Sequence, residues 1–264
     1  MSGDDGALTF RTTPEAYDSH VGRYGADLAR ELIGLATVAA GDRALDVGCG
    51  TGLLTAELAA VLGASNVAAI DPSAPFAASC QARVAGADVR VGRAEDLPFD
   101  DEIFDAVFSQ LALNFMSDPV AGVTEMRRVA RPGGMIAACV WDYAGEMALL
   151  RTFWDAARTV DPASVVLDEG VTMPHCTPAE LSALWTGAGL HDVEVAVLMP
   201  SVSYSSFDSL WQPFLAGVAP SGAYAAGLDE GNRAALRDEF FRQLGSPHGS
   251  LVLTARAWAV VGRR

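Results

Sequence analysis

Residues 43–52 read Arg-Ala-Leu-Asp-Val-Gly-Cys-Gly-Thr-Gly, and this stretch decides the fold. An apolar strand ends at Asp46, and three glycines follow at alternate positions: Gly48, Gly50 and Gly52. The residues after the last glycine are typical of an amphipathic helix. A strand, a turn without side chains and a helix N-terminus together let a ligand lie against backbone amides. The stretch therefore predicts a ligand site at this turn.

The spacing of the glycines argues against a nicotinamide-dependent oxidoreductase. The dinucleotide fingerprint Gly-x-Gly-x-x-Gly would place its third glycine at position 53, where this chain has Leu53. An NAD(P)-dependent enzyme is therefore the less favoured reading of the turn.

Beyond the turn, strand-like and helix-like segments alternate regularly. The predicted strands of this part are Ala44–Val47, Val67–Asp71, Val89–Val91, Phe104–Ser109 and Met135–Val140. Two further long strands are predicted at Asp192–Leu198 and Leu251–Val261, and the segment from Ala16 to Thr37 has the periodicity of one helix. This alternation predicts an α/β fold with a doubly wound sheet and a ligand site at the carboxyl ends of its strands.

Three further motifs occur in an order that carries a resemblance. Asp71 ends the second strand, 19 residues after Gly52, in Ala-Ile-Asp-Pro-Ser. Gly-Arg-Ala-Glu-Asp-Leu-Pro-Phe follows the third strand at 92–99, and Arg-Pro-Gly-Gly precedes the fifth at 131–134. With the glycine turn, these motifs resemble the class I S-adenosylmethionine (SAM)-dependent methyltransferases of small-molecule type, related to the ubiquinone and menaquinone biosynthesis group.

The resemblance implies SAM as cofactor, S-adenosylhomocysteine as product, and a set of cofactor contacts. Asp71 would accept hydrogen bonds from the ribose hydroxyls, and Glu95, or else Asp96, would read the adenine. Arg93 departs from the family pattern, which has an aspartate there. The expected cofactor-binding residues are Tyr17, Arg23, Asp46, Gly48, Cys49, Gly50, Thr51, Gly52, Asp71, Pro72, Ala94, Glu95, Gln110 and Leu111.

The resemblance also implies a Rossmann-like sheet of seven strands, mostly parallel with one antiparallel strand, plus helical cap insertions. We expect a flexible tail at 1–13 and a single methyltransferase domain at 14–264. That domain would comprise an N-terminal lid helix at 14–40, a SAM-binding core at 41–142, and two cap segments at 143–172 and 207–244.

Methyl transfer requires alignment of acceptor, methyl and sulfur more than it requires a dedicated base, and no catalytic residue stands out. His20 and His175 are the candidates for a catalytic role. Some of the aromatic residues in and near the cap segments are expected to line an acceptor pocket: Phe153, Trp154, Trp185, Trp211 and Phe214. We therefore expect a small, apolar or aromatic acceptor. A SAM-binding protein without methylating activity stays open as the alternative.

Charge and composition limit the kinds of molecule that the protein is expected to bind. The net charge of −15 argues against a nucleic-acid substrate, which needs clustered Lys and Arg. The first residues lack the pattern of a signal peptide, no apolar stretch approaches membrane-spanning length, and the four cysteines are scattered. We therefore expect a cytoplasmic protein with no membrane association, no metal site and reduced thiols.

Overall fold

The computed structural model describes residues 13–264, so the expected tail at 1–13 lies, except for Thr13, outside the described residues. The central sheet has the strand order β3-β2-β1-β4-β5-β9-β6. The nine strands are β1 (Ala44–Val47), β2 (Val67–Asp71), β3 (Asp88–Val91), β4 (Phe104–Gln110), β5 (Ala130–Trp141), β6 (His191–Leu198), β7 (Ser201–Tyr204), β8 (Leu251–Thr254) and β9 (Ala257–Arg263).

Strand pairing confirms the seven-stranded, mostly parallel sheet. Strands β1 to β5 pair in parallel, and β9 lies antiparallel between β5 and β6. The strand order reverses between β1 and β4. A crevice for ligands therefore opens outside the carboxyl ends of these two strands, where the crossovers diverge.

Eleven α-helices accompany the strands in the described part of the chain. They are α1 (Pro14–Ser19), α2 (Gly25–Ala36), α3 (Leu53–Leu62), α4 (Ala74–Arg83), α5 (Pro119–Val129), α6 (Ala148–Val160), α7 (Glu169–Thr172), α8 (Pro178–Gly187), α9 (Phe207–Trp211), α10 (Ala219–Gly227) and α11 (Glu230–Gln243). Between residues 13 and 264, no helix is long and apolar enough to cross a membrane.

The N-terminal segment differs from the continuous helix that its periodicity predicts. It forms α1, a 3₁₀ turn at Val21–Tyr24, and α2, with the first break at His20 (φ −102°, ψ −112°). A Cβ on Gly25 would lie 2.5 Å from Leu53 Cδ1, so α2 begins where its backbone packs directly on α3. The break lets α1 take its own direction across the ends of the strands.

The predicted strand Leu251–Val261 is also two strands rather than one. Only β9 joins the central sheet, whereas β8 pairs antiparallel with β7 in a separate two-stranded sheet. The chain turns at Arg256, whose guanidinium is held by the buried carboxylate of Asp142 at 2.6 Å and by Glu146 at 2.7 Å. The ion pairs connect distant parts of the chain, so the local pattern of apolar residues does not reveal the break.

The cap segments are helical, as expected, and enclose an aromatic cluster. Phe153 and Phe214 stack with ring centroids 4.5 Å apart, and Trp211 packs on Phe214. The five aromatic residues expected to supply part of an acceptor pocket are all at most 2% exposed. They pack in the core of the cap and of the sheet, and none of them lines the cleft at the carboxyl ends of β1 to β4.

Candidate functional site

A cleft opens at the carboxyl ends of β1 to β4, with about 850 Å³ of space out to its mouth. A concave site of this kind is the usual place for a small-molecule ligand. Nine of the fourteen expected cofactor contacts contribute to its wall: Tyr17, Gly48, Gly50, Asp71, Pro72, Ala94, Glu95, Gln110 and Leu111. The fold thus brings together α1 and the segments at the carboxyl ends of four strands, which the sequence spreads over 95 positions, from 17 to 111.

The three glycines of the turn have different roles. All three have positive φ, between 53° and 84°, which L-amino acids rarely adopt. A Cβ on Gly48 would overlap Ala112, and a Cβ on Gly52 would lie 2.8 Å from Cys80 Sγ, so these two glycines permit close packing. A Cβ on Gly50 would meet nothing within 4 Å. Since Gly50 lines the cleft, the space beside it is open to the cleft.

Asp71 connects the end of β2 to the glycine turn. Its side chain is 7% exposed, and its carboxylate accepts hydrogen bonds from the backbone N–H of Gly50 and of Ser73, each at 2.8 Å. Burial raises the pKa of this carboxyl, and the two backbone hydrogen bonds oppose the rise. A carboxylate oxygen has more than one lone-pair site. Asp71 can therefore hold the turn and still accept from ligand hydroxyls in the cleft.

Glu95 lies on the cleft wall, whereas its neighbour Asp96 is exposed and outside the lining. Glu95 Oε1 accepts hydrogen bonds from the N–H and the hydroxyl of Ser117, both at 2.9 Å, and from the N–H of Asp118 at 3.2 Å. Burial acts to raise the pKa of Glu95, but these hydrogen bonds and Arg93 outweigh it and lower the pKa. Glu95 is therefore ionised at neutral pH.

The helix α1 is held over the glycine turn by polar contacts. The Thr51 hydroxyl donates to Asp18 Oδ1 at 2.6 Å, and Arg83 forms an ion pair with the same carboxylate. Arg83 Nε also donates to the Thr51 carbonyl at 2.7 Å. Tyr17, one residue before Asp18, faces the cleft. Thr51 was expected to contact cofactor, but its side chain instead fixes α1.

The other expected contacts outside the lining are Arg23, Asp46, Cys49 and Gly52. The Arg23 guanidinium lies 4.4 Å from the centroid of the Tyr204 ring and donates to the Ser203 carbonyl at 2.9 Å, so it ties the N-terminal segment to β7. Cys49 packs with Cys80 beneath the turn. The side chains of a tight turn point to both of its sides, and the sequence does not reveal which side faces the cleft.

Asp46 is almost fully buried, at 1% exposure, and only one of its oxygens has a partner, the Thr55 hydroxyl at 2.7 Å. Burial raises the pKa of Asp46 from 3.8 to about 7; the Thr55 hydrogen bond opposes the rise, and the charge of Asp71 adds to it. The folded protein therefore holds a proton on Asp46 that the unfolded chain releases near pH 4.

This difference predicts a pH dependence of stability. The folded state binds the extra proton between about pH 4 and pH 7, so Asp46 makes the free energy of unfolding fall as the pH rises through that window. We expect Asp46→Asn to gain roughly 2 kcal/mol relative to wild type between pH 5.5 and pH 8, measured by urea unfolding. Asp105→Asn is the control, because the pKa of Asp105 is lowered in the folded state. A constant difference across the range for Asp46→Asn contradicts the assignment.

Neither histidine candidate lines the cleft. His20 is 2% exposed, its ring centroid lies 4.5 Å from that of Phe214, and burial lowers its pKa to about 4. His175 lies in the loop before α8 with φ at 56°. His20 is therefore neutral at physiological pH and packs in the cap, and His175 is half-buried in the loop between α7 and α8.

Eight residues outside the set of expected cofactor contacts also line the cleft. They are Ser73, Phe76, Gly92, Arg93, Ala112, Phe115, Met116 and Ser117. Most of them lie within the same loops as the expected contacts. The loop after β4 lines the cleft as far along the chain as Ser117. That loop contains a 3₁₀ turn at Leu113–Phe115, which no sequence motif marks.

A protein-family model described as a methyltransferase domain matches residues 45–138, the part that holds most of this cleft. A demethylmenaquinone methyltransferase of Mycobacterium sp. (strain KMS) is 43% identical over 110 residues, which are 42% of this chain and 46% of the relative. A malonyl-[acyl-carrier protein] O-methyltransferase of Erwinia billingiae is 34% identical over 130 residues, 49% of this chain and 51% of the relative. The chain thus spans about half the length of these relatives.

The fold has counterparts among solved structures. Phosphoethanolamine N-methyltransferase 2 of Haemonchus contortus, solved with phosphomonomethylethanolamine and S-adenosylhomocysteine, is similar with a TM-score of 0.60 at 15% identity. The similarity covers 100% of this chain and 60% of that one. Residues 45–138 are therefore similar to a methyltransferase domain, and the overall fold is similar to that of a SAM-dependent methyltransferase.

Proposed function

We propose that the protein transfers the methyl group of SAM to a small, apolar or aromatic metabolite. The observation that carries the proposal is the cleft itself. The open space beside Gly50, a carboxylate at the end of β2 and the turn that opens α3 face one cavity. These are the features that a nucleoside with a polar tail requires.

The residues of the cleft fit the cofactor. A side chain at position 50 would fill the space next to the turn, so the native glycine leaves a cradle for a ligand. Gln110 donates to the Gly25 carbonyl at 3.1 Å, and its Oε1 is buried without a partner in the described structure. Asp71 would hold the ribose, and Gln110 Oε1 would accept from the ammonium of the methionine part.

The bound cofactor would supply an electrophilic methyl group. The protein would hold the acceptor in line with it and keep water away, and such positioning lowers the barrier by several kcal/mol. Tyr17 and α1 cover one side of the cleft, and the apolar side chains of Leu111, Phe115 and Met116 form another. We assign the acceptor to the apolar side because those groups favour an apolar or aromatic molecule.

The relatives named above act on a demethylmenaquinone and on a malonyl-carrier protein, so their names differ in acceptor. The net charge of −15 supports a small molecule over nucleic acid and is compatible with a cytoplasmic protein. A SAM-binding protein that does not methylate is the second candidate, because its cofactor cleft would be the same.

Methylation is tested by measuring S-adenosylhomocysteine production. Purified protein is incubated with SAM and a panel of phenols, quinones and amines, each run with and without protein. Acceptor-dependent production of S-adenosylhomocysteine together with a methylated acceptor supports the proposal. SAM binding without turnover of any acceptor supports the non-methylating alternative, and binding of NAD but not SAM contradicts both.

The polar contacts of α1 give a prediction about cofactor exchange. Thr51→Val removes the hydroxyl that donates to Asp18 and keeps the shape of the side chain. We expect SAM to dissociate about threefold to tenfold faster in stopped-flow fluorescence, because a hydrogen bond to a charged group contributes about 1.5–3 kcal/mol and only part of it is lost on opening. Thr159→Val is the control, since this hydroxyl donates to the Asp155 carbonyl within α6 and lies outside the cleft lining. An unchanged dissociation rate would show that α1 does not cover the cofactor.

A further inference from the structure

The cleft wall carries one positive side chain, that of Arg93, among the residues the structure describes there. Two acids, Asp71 and Glu95, line the same wall. Arg93 follows β3 directly after Gly92 and is 42% exposed at its side chain. It therefore lies where the cleft meets solvent, beside the loop expected to receive the base of a nucleoside.

The plane of this guanidinium is fixed by two contacts. Arg93 Nη2 donates to the Ser117 hydroxyl, and Nε lies 3.5 Å from Glu95 Oε2. Both nitrogens belong to one edge of the flat guanidinium group, so the contacts set its orientation. Arg93 thus links the loop after β3 to the loop after β4.

Glu95 is already occupied by the protein. Its Oε1 takes three donors from Ser117 and Asp118, and its Oε2 faces Arg93. Three donors saturate Oε1, so an adenine amino group could approach only Oε2, where it would compete with the Arg93 guanidinium. Glu95 is therefore better placed to hold Arg93 than to read the base edge.

Resting on the proposed function, we propose that the base of the cofactor is recognised by its face, stacked on the Arg93 guanidinium, and that Glu95 is a positioning residue for this contact. A guanidinium stacks on aromatic rings through cation–π and planar contact, whichever groups the ring edge carries. Recognition by the face leaves the exocyclic amino group free of a carboxylate partner. The site should then tolerate substituents on that amino group.

The first arm of the test uses titration calorimetry with S-adenosylhomocysteine. Arg93→Met keeps the length and apolar stem and should weaken binding at least tenfold, while Arg93→Lys, which keeps the charge without the plane, should recover only part of the loss. Arg90→Met is the matched control, because Arg90 lies on β3 over Phe99, outside the cleft lining. The affinity of this variant for S-adenosylhomocysteine should stay within twofold of the wild-type value. Circular dichroism reports whether each variant is folded.

The second arm compares S-adenosylhomocysteine with its N6,N6-dimethyl analogue on the wild-type protein. Face recognition predicts affinities within threefold of each other, and Glu95→Gln should weaken both ligands alike and only severalfold. A loss of tenfold or more for the analogue, with Glu95→Gln removing the difference, would establish edge reading by Glu95 and overturn the inference. Unchanged affinity in folded Arg93→Met would overturn it too. Failure of the wild-type protein to bind S-adenosylhomocysteine would instead count against the proposed function.

Discussion

Gly50→Val should abolish SAM binding in a protein that stays folded. The side chain would enter the space of the cleft, since a Cβ at this position meets no protein atom within 4 Å. Position 50 has φ at 53°, in the left-handed region, which costs an L-residue about 1–2 kcal/mol. That strain is small enough for the protein to stay folded. The valine side chain would occupy the space beside position 50, so SAM could no longer enter it.

The control for this variant is Gly217→Val. Gly217 also has positive φ, at 73°, and open space around a Cβ, but it ends the 3₁₀ turn Gln212–Ala216 in the cap. It therefore carries a similar backbone strain without reaching the cleft, and SAM affinity should stay within twofold of wild type. Titration calorimetry with circular dichroism separates the two effects. Full binding by folded Gly50→Val would show that the glycine turn serves packing alone.

Asp71→Ala should weaken SAM binding at least tenfold. Its carboxylate would accept from the ribose hydroxyls, and hydrogen bonds to a charged acceptor contribute about 1.5–3 kcal/mol each. The substitution also leaves the N–H groups of Gly50 and Ser73 without their acceptor, which loosens the turn. Both effects act in the same direction, so the tenfold figure is a lower bound.

Asp71→Asn separates these two effects, because an amide oxygen can still accept from one backbone N–H. We expect this variant to unfold at nearly the wild-type denaturant concentration and still to bind SAM several times more weakly. Asp105→Asn, which removes an acid that accepts from the Arg43 N–H outside the cleft, should leave affinity unchanged. Wild-type affinity in both Asp71 variants would remove Asp71 from the cofactor site.

The central part of the fold could be predicted because its signals are local. The glycines at 48, 50 and 52 follow a strand that is buried along its whole length, and Asp71 ends the next strand in the same way. Parallel strands bring their carboxyl ends to one edge, so two motifs 19 residues apart must meet there. The number of strands and the single antiparallel strand follow from the family that the motifs resemble.

The N-terminal segment and the last strand could not be predicted because distant contacts determine them. The helix breaks at His20 since α2 must pack its Gly25 against α3. The strand divides near Arg256, where ion pairs with Asp142 and Glu146 hold the chain. In both places the periodicity of the sequence continues through the break, and only the tertiary structure interrupts it.

Side-chain direction limited the prediction of the site. Arg23 and Thr51 lie in segments that border the cleft, but Arg23 turns to Tyr204 and Thr51 turns to Asp18. The aromatic residues of the cap show the same limit, because their spacing fits a buried cluster and a pocket wall equally well. The sequence shows that Arg93 departs from the family motif at 92–99, but only the tertiary structure shows its contact with Ser117.

A crystal structure of the protein with S-adenosylhomocysteine tests the assignment of the cleft most directly. We predict that the ligand lies in the cleft at the ends of β1 to β4. Its ribose hydroxyls should donate to the Asp71 carboxylate, and the ligand should pack against the protein backbone at Gly50. A ligand bound elsewhere, or a cleft that stays empty at saturating ligand while Asp71 keeps only its two backbone donors, would contradict a SAM site here.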